Sequence, residues 1–184
     1  MPARLRSESG FLVIELLIAT VVLTIAVLAL LGSYDESFLS LRSSAKASSA
    51  GLLAQNQLEL YDSLTYSSIG FTSATLSSTK STDPTYSTDE TALPVSGTDV
   101  TITTCATSPQ CSPVQTLTGD DHRSYKLETF IRSLSNPSAS ARTEKIVTVV
   151  VRNLSASACK SSDQTKCPKV VTMQTGFDAG SGSP

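Results

Sequence analysis

A long run of apolar residues near the N-terminus constrains this chain more than any other feature. The run covers residues 11–31, and no charged residue occurs at positions 16–34. As a helix it would extend about 32 Å, which matches a membrane hydrocarbon core of roughly 30 Å. We therefore predict a transmembrane helix within residues 11–34.

Three interpretations of this run compete: a removed signal peptide, a retained membrane anchor and the buried helix of a soluble protein. A buried helix seldom lacks a polar face for so long. The run also exceeds a signal-peptide core, and no clean small-residue cleavage site precedes Asp35 and Glu36. A retained anchor is therefore favoured. Arg4 and Arg6 before the run predict a cytoplasmic N-terminus and an exported remainder.

Glu15 does not suit a plain anchor, because it lies inside the apolar run. An acidic side chain near the middle of a membrane costs about 2 to 3 kcal/mol on insertion scales, and less close to the end of a helix. Either Glu15 extends to the lipid headgroups, or it has a specific partner. The spacing alone leaves both interpretations open.

The sequence GFLVIELLIA at residues 10–19 closely resembles the cleavage and assembly motif of type IV prepilins. This resemblance implies that residues 1–10 are a leader, and that a prepilin peptidase cuts after Gly10 and methylates the new amino group of Phe11. It also implies that Glu15 meets the amino terminus of a neighbouring subunit in a filament. The apolar helix would then serve first as a membrane anchor and later as an assembly element.

The motif departs from the family pattern at several positions. Leu12 and Val13 stand where threonine and leucine are commonest, and Ser9 replaces a frequent basic residue. Gly32 stands where many major pilins have proline, so a bend there would be softer than a proline kink. Gly32, together with the long Ser/Thr-rich segment that follows the helix, favours a minor pilin over a major one.

Beyond the span, residues 35–66 are predicted to continue the helix in amphipathic form. The expected apolar stripe contains Phe38, Leu41, Ala45, Leu52, Leu60 and Leu64. Residues 67–99 are rich in Ser and Thr, contain Pro84 and Pro94, and predict a long connection over the head.

Residues 100–175 are predicted to form a β-sheet head, followed by a flexible tail at 176–184. Alternating or β-branched runs predict strands at 100–104, 125–132, 145–152 and 170–175, with a turn at Asn136 and Pro137. Short links favour an antiparallel meander that covers the amphipathic half of the helix. The expected class is α+β, with a long N-terminal helix packed on a small antiparallel sheet.

The four cysteines suggest disulfides, because the head is expected outside the cytoplasm. The local pairings are Cys105 with Cys111 and Cys159 with Cys167, although four cysteines permit other connectivities. A zinc site is the alternative, but neither spacing is that of a structural zinc hairpin. A C-terminal disulfide loop is familiar in pilins, so by resemblance the second pair would frame a contact or adhesion surface.

No constellation of residues predicts an enzyme or a cofactor site, and we expect neither catalysis nor a bound metal. The single histidine, His122, lies in the polar sequence of residues 120–123, which favours a solvated turn. A calcium site formed by Asp83, Asp89, Glu90 and Asp99 has no supporting register. The net charge of −2 and the lack of a basic cluster argue against direct nucleic-acid binding. Asn153 begins a formal glycosylation sequon, a triplet that often arises by chance.

Taken together, the resemblance predicts a structural subunit of a type IV pilus-like filament. The favoured form is a minor pilin that initiates or decorates a pilus used in adhesion, twitching motility or DNA uptake. A pseudopilin of type II secretion and a stand-alone membrane-anchored adhesin are the alternatives. Expected partners are other pilin subunits, a prepilin peptidase, the pilus assembly platform and, before assembly, membrane lipid. The protein would move from the cytoplasmic membrane to a cell-surface filament.

Overall fold

The computed structural model describes residues 9–95, 97–105, 108–135, 143–159 and 164–179, without the side chains of residues 9–12, 35 and 135. It confirms an α+β chain with a long N-terminal helix and an antiparallel sheet. The chain divides into two compact units, Met1–Ser44 and Ala45–Pro184. The elements are α1 (Ser9–Asp62), β1 (Phe71–Thr72), α2 (Ser73–Thr82), α3 (Pro84–Thr91), β2 (Thr98–Asp99), β3 (Thr101–Ile102), β4 (Val114–Thr118), β5 (Ser124–Ser135), β6 (Thr143–Asn153) and β7 (Lys169–Asp178), with short 3-10 helices at Tyr66–Ser68 and Gln164–Lys166.

The first unit contains the N-terminal part of α1, whose apolar side chains are exposed. Leu16 and Leu23 are 67% and 65% exposed, and the large apolar side chains between them are exposed as well. The hydroxyl groups of Thr20 and Thr24 donate to helix carbonyls one turn earlier, so these polar groups are satisfied within the helix. By length and composition, α1 contains a stretch that is long and apolar enough to cross a membrane.

The second unit is organised around a five-stranded sheet in which β5, β6 and β7 form an antiparallel meander. Strands β5 and β6 pair from Tyr125 opposite Asn153 to Ser135 opposite Thr143. The other edge of β5 is shared, because β4 pairs with its first half and β2 pairs near its end. β1 and β3 form a separate two-stranded parallel pair.

One face of the sheet packs against the C-terminal part of α1. The hydroxyl of Tyr125 lies 3.5 Å from the carbonyl oxygen of Lys46, to which it donates. A Cβ placed on Gly51 would lie 3.8 Å from the Met173 methyl group of β7. Side chains on this face alternate along β5 and β6, as the pleat requires. The buried core on this side includes Ala50, Ala54, Tyr61, Leu127, Ile131, Val147, Val149 and Val151.

The opposite face of the sheet is covered by α3. The ring of Tyr86 stacks on Phe130 with ring centroids 4.4 Å apart. The hydroxyl of Tyr86 also donates to the carbonyl of Thr129 at 3.0 Å. Because both faces are covered, every residue of β5 from 125 to 131 is buried.

The structure differs here from the plain connection expected at residues 67–99, since it contains two helices. Thr72 caps the start of α2 by accepting from the backbone N–H of Thr75. Asp83 caps α3, and Pro84 occupies its first turn, where a missing N–H costs nothing. The prolines and small polar residues that suggested a loop are therefore helix-start signals.

Most of the predicted apolar stripe does not face the sheet, although its last member, Leu64, packs against the core. Phe38 is 59% exposed, Leu41 is 65% exposed and Leu52 is 45% exposed. The sheet instead covers a face of α1 that contains Ser49, Ala50, Ala54, Gln57 and Tyr61. Small side chains occupy the middle of this face, and the larger Gln57 and Tyr61 follow towards its C-terminal end.

The strand boundaries also differ from prediction. The run at 100–104 is not one strand, because the chain switches partners at Val100, whose N–H donates to Ile131 and whose carbonyl accepts from Phe71. The sequence did not predict β4. At the C-terminus β7 continues to Asp178, so Gly176 and Phe177 pair with β6 rather than belonging to a tail. The Asn136–Pro137 turn and residues 180–184 lie outside the described residues.

Candidate functional site

The candidate cleavage and assembly residues lie at the start of α1. Gly10 and Phe11 are helical in their backbone, and their side chains lie outside the description. Glu15 lies one turn after Phe11 and is exposed. Among the described residues, no cationic side chain forms an ion pair with Glu15. Glu15 is therefore a carboxylate on an apolar helix without a partner from the described part of its own chain.

A shallow groove of about 670 Å³ runs along α1 beside Glu15. Glu15 is the one charged residue that lines it, and the small side chains of Ala19 and Ala26 lie one and three turns further on. Larger aliphatic side chains complete the lining: Ile14, Ile18, Val22 and Leu23. The surface offers apolar contact together with one carboxylate, which suits a helical partner that brings a cation.

The first disulfide closes a loop at a gap in the sheet edge. Cys105 and Cys111 are bonded, with their Cα atoms 5.7 Å apart. The loop lies between β2 and β4, which share the same edge of β5. It is fastened to α1, because the hydroxyl of Tyr61 donates to the carbonyl of Gln110 at 2.9 Å.

The second disulfide joins Cys159 to Cys167, so both predicted local pairings are present. Residues 160–163 of this loop lie outside the description, but Cys167 is buried. Its carbonyl accepts a hydrogen bond from Nη1 of Arg152. The same guanidinium binds Asp89, so one side chain links the disulfide loop to α3.

A group of charged side chains lies between the sheet and α3, and all of them are buried except Asp83, which is 19% exposed. We call it the buried charge cluster: Asp83, Asp89, Lys126, Glu128 and Arg152. Arg152 binds Asp89 through Nε and Nη2, while Lys169 reaches the same carboxylate at 2.8 Å. Nζ of Lys126 lies 2.6 Å from Oδ2 of Asp83. The side chains of Lys126, Glu128 and Arg152 are 3%, 0% and 6% exposed.

The two central carboxyl groups of the cluster have opposite pKa shifts. The pKa of Glu128 is raised to about 7, mainly by burial and also by the neighbouring Asp89, while Lys126 opposes the shift. Burial also acts to raise the pKa of Asp89, but hydrogen bonds from Arg152 and its other neighbours hold it below the ordinary value. Near neutral pH Asp89 is thus the anion, and Glu128 is poised to gain or lose a proton.

Sequence reasoning missed this cluster. Lys126, Glu128 and Arg132 alternate with apolar residues in β5, which is also the pattern of a strand with one solvated face. Asp83 and Asp89 had been considered only for calcium. The useful signal was the capping sequence Asp83-Pro84, which predicts a helix that can bring acidic groups over the charged side of β5.

The other candidate residues have structural partners. His122 is exposed in the β4–β5 turn, with a positive φ of 58°. The acidic residues considered for calcium contact cations instead: Asp83 with Lys126, Asp89 with Arg152, and Glu90 and Asp99 with Lys80. Among the described residues, no group of three or more potential ligands could hold a metal.

The asparagine of the sequon is buried. Asn153 is 3% exposed, and its side-chain oxygen accepts from the backbone N–H of Ser155 at 2.8 Å. The hydroxyl of Ser155 in turn accepts from the N–H of Ser124. A glycan on Asn153 would require this turn to open.

Comparisons with protein-family models, with curated proteins and with solved structures found no match to this chain.

Proposed function

We propose that the chain is a subunit of a type IV pilus-like filament and, within that class, a minor pilin. The observation that carries the proposal is the coincidence of two features at one helix. The prepilin-like motif lies at residues 10–19, and the helix that it begins carries exposed apolar side chains as far as Leu31. An exposed surface of this kind requires lipid or other protein chains around it.

Before assembly the surroundings of the helix would be lipid. The basic leader keeps the N-terminus cytoplasmic, and the disulfide-bonded head is exported. Prepilin peptidase then removes residues 1–10 and methylates Phe11. The assembly platform transfers the helix from the cytoplasmic membrane into a bundle of like helices in a cell-surface filament.

Glu15 supplies the electrostatic part of the proposal. It lines an otherwise apolar groove, and no cation of the described residues pairs with it. Inside a filament an unpaired carboxylate would cost several kcal/mol, whereas the amino group of a neighbouring Phe11 would offset that cost. The ion pair would form only when an entering subunit has the correct axial position, so it would stabilise that position over others.

Mass spectrometry of the mature N-terminus tests membership of the prepilin class. We expect the protein recovered from membranes and filaments to begin at N-methylated Phe11. An intact leader or a cut elsewhere would contradict the proposal, and would favour the alternative of a stand-alone membrane-anchored adhesin.

A pair of substitutions tests the role of Glu15. Glu15→Ala is expected to leave membrane insertion intact and to reduce incorporation into sheared filaments by tenfold or more, the effect of about 1.4 kcal/mol or more. Glu36→Ala is the matched control, since it removes an exposed carboxylate of α1 beyond the apolar run. Equal incorporation of both variants would contradict the proposed pairing.

The head would face outward in the filament and carry the specific function in adhesion, twitching motility or DNA uptake. A pseudopilin of type II secretion shares the same N-terminal chemistry. Neighbouring genes for a retraction ATPase and further pilins would support the pilus. A neighbouring secretin together with a secreted hydrolase would support the pseudopilin instead.

A further inference from the structure

Lys126 is in an unusual position within the buried charge cluster. Its Nζ lies 2.6 Å from Oδ2 of Asp83 and 2.9 Å from Oε1 of Glu128. Neither contact is aligned as a hydrogen bond, although the side chain is only 3% exposed. Lys80 differs, because it donates aligned hydrogen bonds to Glu90 and Asp99 at 2.6 Å each and its side chain is 32% exposed.

The two oxygens of Asp83 have different environments. Oδ1 accepts from the backbone N–H groups of Thr85 and Tyr86, at 3.0 Å and 3.2 Å, as the cap of α3. Oδ2 faces the amine of Lys126. Two backbone donors on one oxygen polarise the carboxyl carbon, and they would hold the negative charge that develops on Oδ1 during attack at that carbon. Oδ2 is the oxygen in place to leave.

Glu128 supplies the remaining group that such a reaction needs. Its carboxyl is within 2.9 Å of Nζ of Lys126 and is fully buried. Burial raises its pKa to about 7, so it can accept and return a proton at neutral pH. A nucleophile, a polarised carboxyl carbon and a proton carrier therefore meet in one site, in which Lys126 and Glu128 are buried and Asp83 is 19% exposed.

We propose that Lys126 and Asp83 join in an intramolecular amide bond, with Glu128 carrying the proton. Glu128 takes one proton from the ammonium group, and the neutral amine attacks Cγ of Asp83 to form the C–N bond. Glu128 returns its proton to Oδ2, which also receives a second proton from the nitrogen. The C–Oδ2 bond then breaks and one water leaves, so an ammonium and a carboxylate become an amide and water. No oxidant or cofactor is consumed.

The bond would fasten the start of α3 to β5 without disturbing the cap. Oδ1 remains as the amide oxygen and keeps its two backbone donors. The product also removes the buried positive charge of Lys126 and the partly buried negative charge of Asp83 together. This inference concerns the head alone and does not depend on the proposed function.

Peptide mass spectrometry of the full-length protein tests the proposal. The purified chain is denatured, reduced, alkylated and digested with trypsin, which does not cleave after an acylated lysine. We expect peptide 81–123 joined to peptide 124–132, at about 18 Da less than the sum of the two, the mass of one water lost in acyl transfer. Free peptide 127–132 is then absent.

Two variants check the assignment of roles. Lys126→Arg keeps the positive charge but forms no amide under these conditions, so the joined species is expected to disappear and cleavage after residue 126 to return. Glu128→Gln keeps the shape and removes the proton carrier, and the fraction joined is expected to fall at least tenfold. Joining at undiminished yield in Glu128→Gln would overturn the role of Glu128.

The unaltered protein decides the main point even when a variant fails to fold. If free peptide 127–132 is recovered quantitatively from the unaltered protein, Lys126 and Asp83 form an ion pair without an amide bond. That result would overturn the proposal. Lys80 is an internal control, because its Nζ lies 2.6 Å from each of two carboxylates, but its side chain is partly exposed and donates an aligned hydrogen bond to each. Normal cleavage after Lys80 is expected in every sample.

Discussion

Arg152 of β6 donates hydrogen bonds to both carboxylate oxygens of Asp89 in α3, from Nε at 2.9 Å and from Nη2 at 2.6 Å. Asp89 is 1% exposed, so the pair is shielded from water. Planar two-point contact of this kind is specific in direction as well as in charge. It determines where α3 lies on the sheet and, through the carbonyl of Cys167, where the second disulfide loop begins.

The first prediction concerns the two cations that bind Asp89. Arg152→Met is expected to lower the free energy of unfolding by about 3 to 5 kcal/mol, because it breaks a buried pair from one side. Lys169→Met removes a cation that is 41% exposed, and the expected loss is below about 1 kcal/mol. Chemical denaturation of the full chain in detergent measures both variants. Equal losses would contradict the assigned importance of Arg152.

The second prediction concerns the pH dependence of stability. The folded pKa of Glu128 is about 7 against an ordinary value of 4.5, so between these values the folded chain holds a proton that the unfolded chain has released. The contribution of Glu128 to stability is therefore full below about pH 4.5 and is lost as the pH rises towards 7, by up to about 3 kcal/mol.

Glu128→Gln removes that dependence. Denaturation curves at pH 5, 6, 7 and 8 are expected to show the unaltered protein losing stability relative to the variant as the pH rises. Asp89 has a lowered pKa, so its contribution to stability is lost only in more acidic solution. Parallel pH profiles of the two proteins would be inconsistent with a raised pKa at Glu128.

The third prediction tests the close packing of α1 on the sheet. Ala54 is fully buried on the sheet-facing side of the helix. Ala54→Leu is expected to cost about 1 to 3 kcal/mol through overpacking. Ala47→Leu is the matched control at an exposed position of the same helix, and it is expected to change stability by less than about 0.5 kcal/mol. Thermal unfolding measures both, and a tolerated Leu at position 54 would contradict the packing.

The fourth prediction concerns the first disulfide. Replacing both Cys105 and Cys111 by serine is expected to lower stability by about 2 kcal/mol, the chain-entropy estimate for a short loop. Without the disulfide the loop has more conformational freedom, so the hydrogen bond from Tyr61 to Gln110 forms at a larger entropic cost. Unfolding with and without a reductant measures the effect. A reductant should destabilise the variant less than the unaltered protein, since one disulfide remains in it.

The hydrophobic pattern was sufficient to predict the elements whose burial follows a simple period. The apolar run that begins at Phe11 indicated a helix, and strands β5, β6 and β7 were predicted close to their observed bounds. The local cysteine pairs were also predictable, because each closes a short loop. These features depend on residues that are close together in the sequence, so they can be predicted from the local sequence pattern.

Tertiary structure decided which surfaces meet. Sequence periodicity placed Phe38 and Leu41 on the packed stripe of α1, but the sheet packs on the face that contains Ala50, Ala54 and Tyr61. The charged residues of β5 lie at alternate positions, a pattern that a solvated face also shows, but α3 covers them. Burial of a charge depends on groups distant in sequence, as Asp89 and Arg152 show, so the sequence alone could determine the apolar helix and the strands but not the cluster between them.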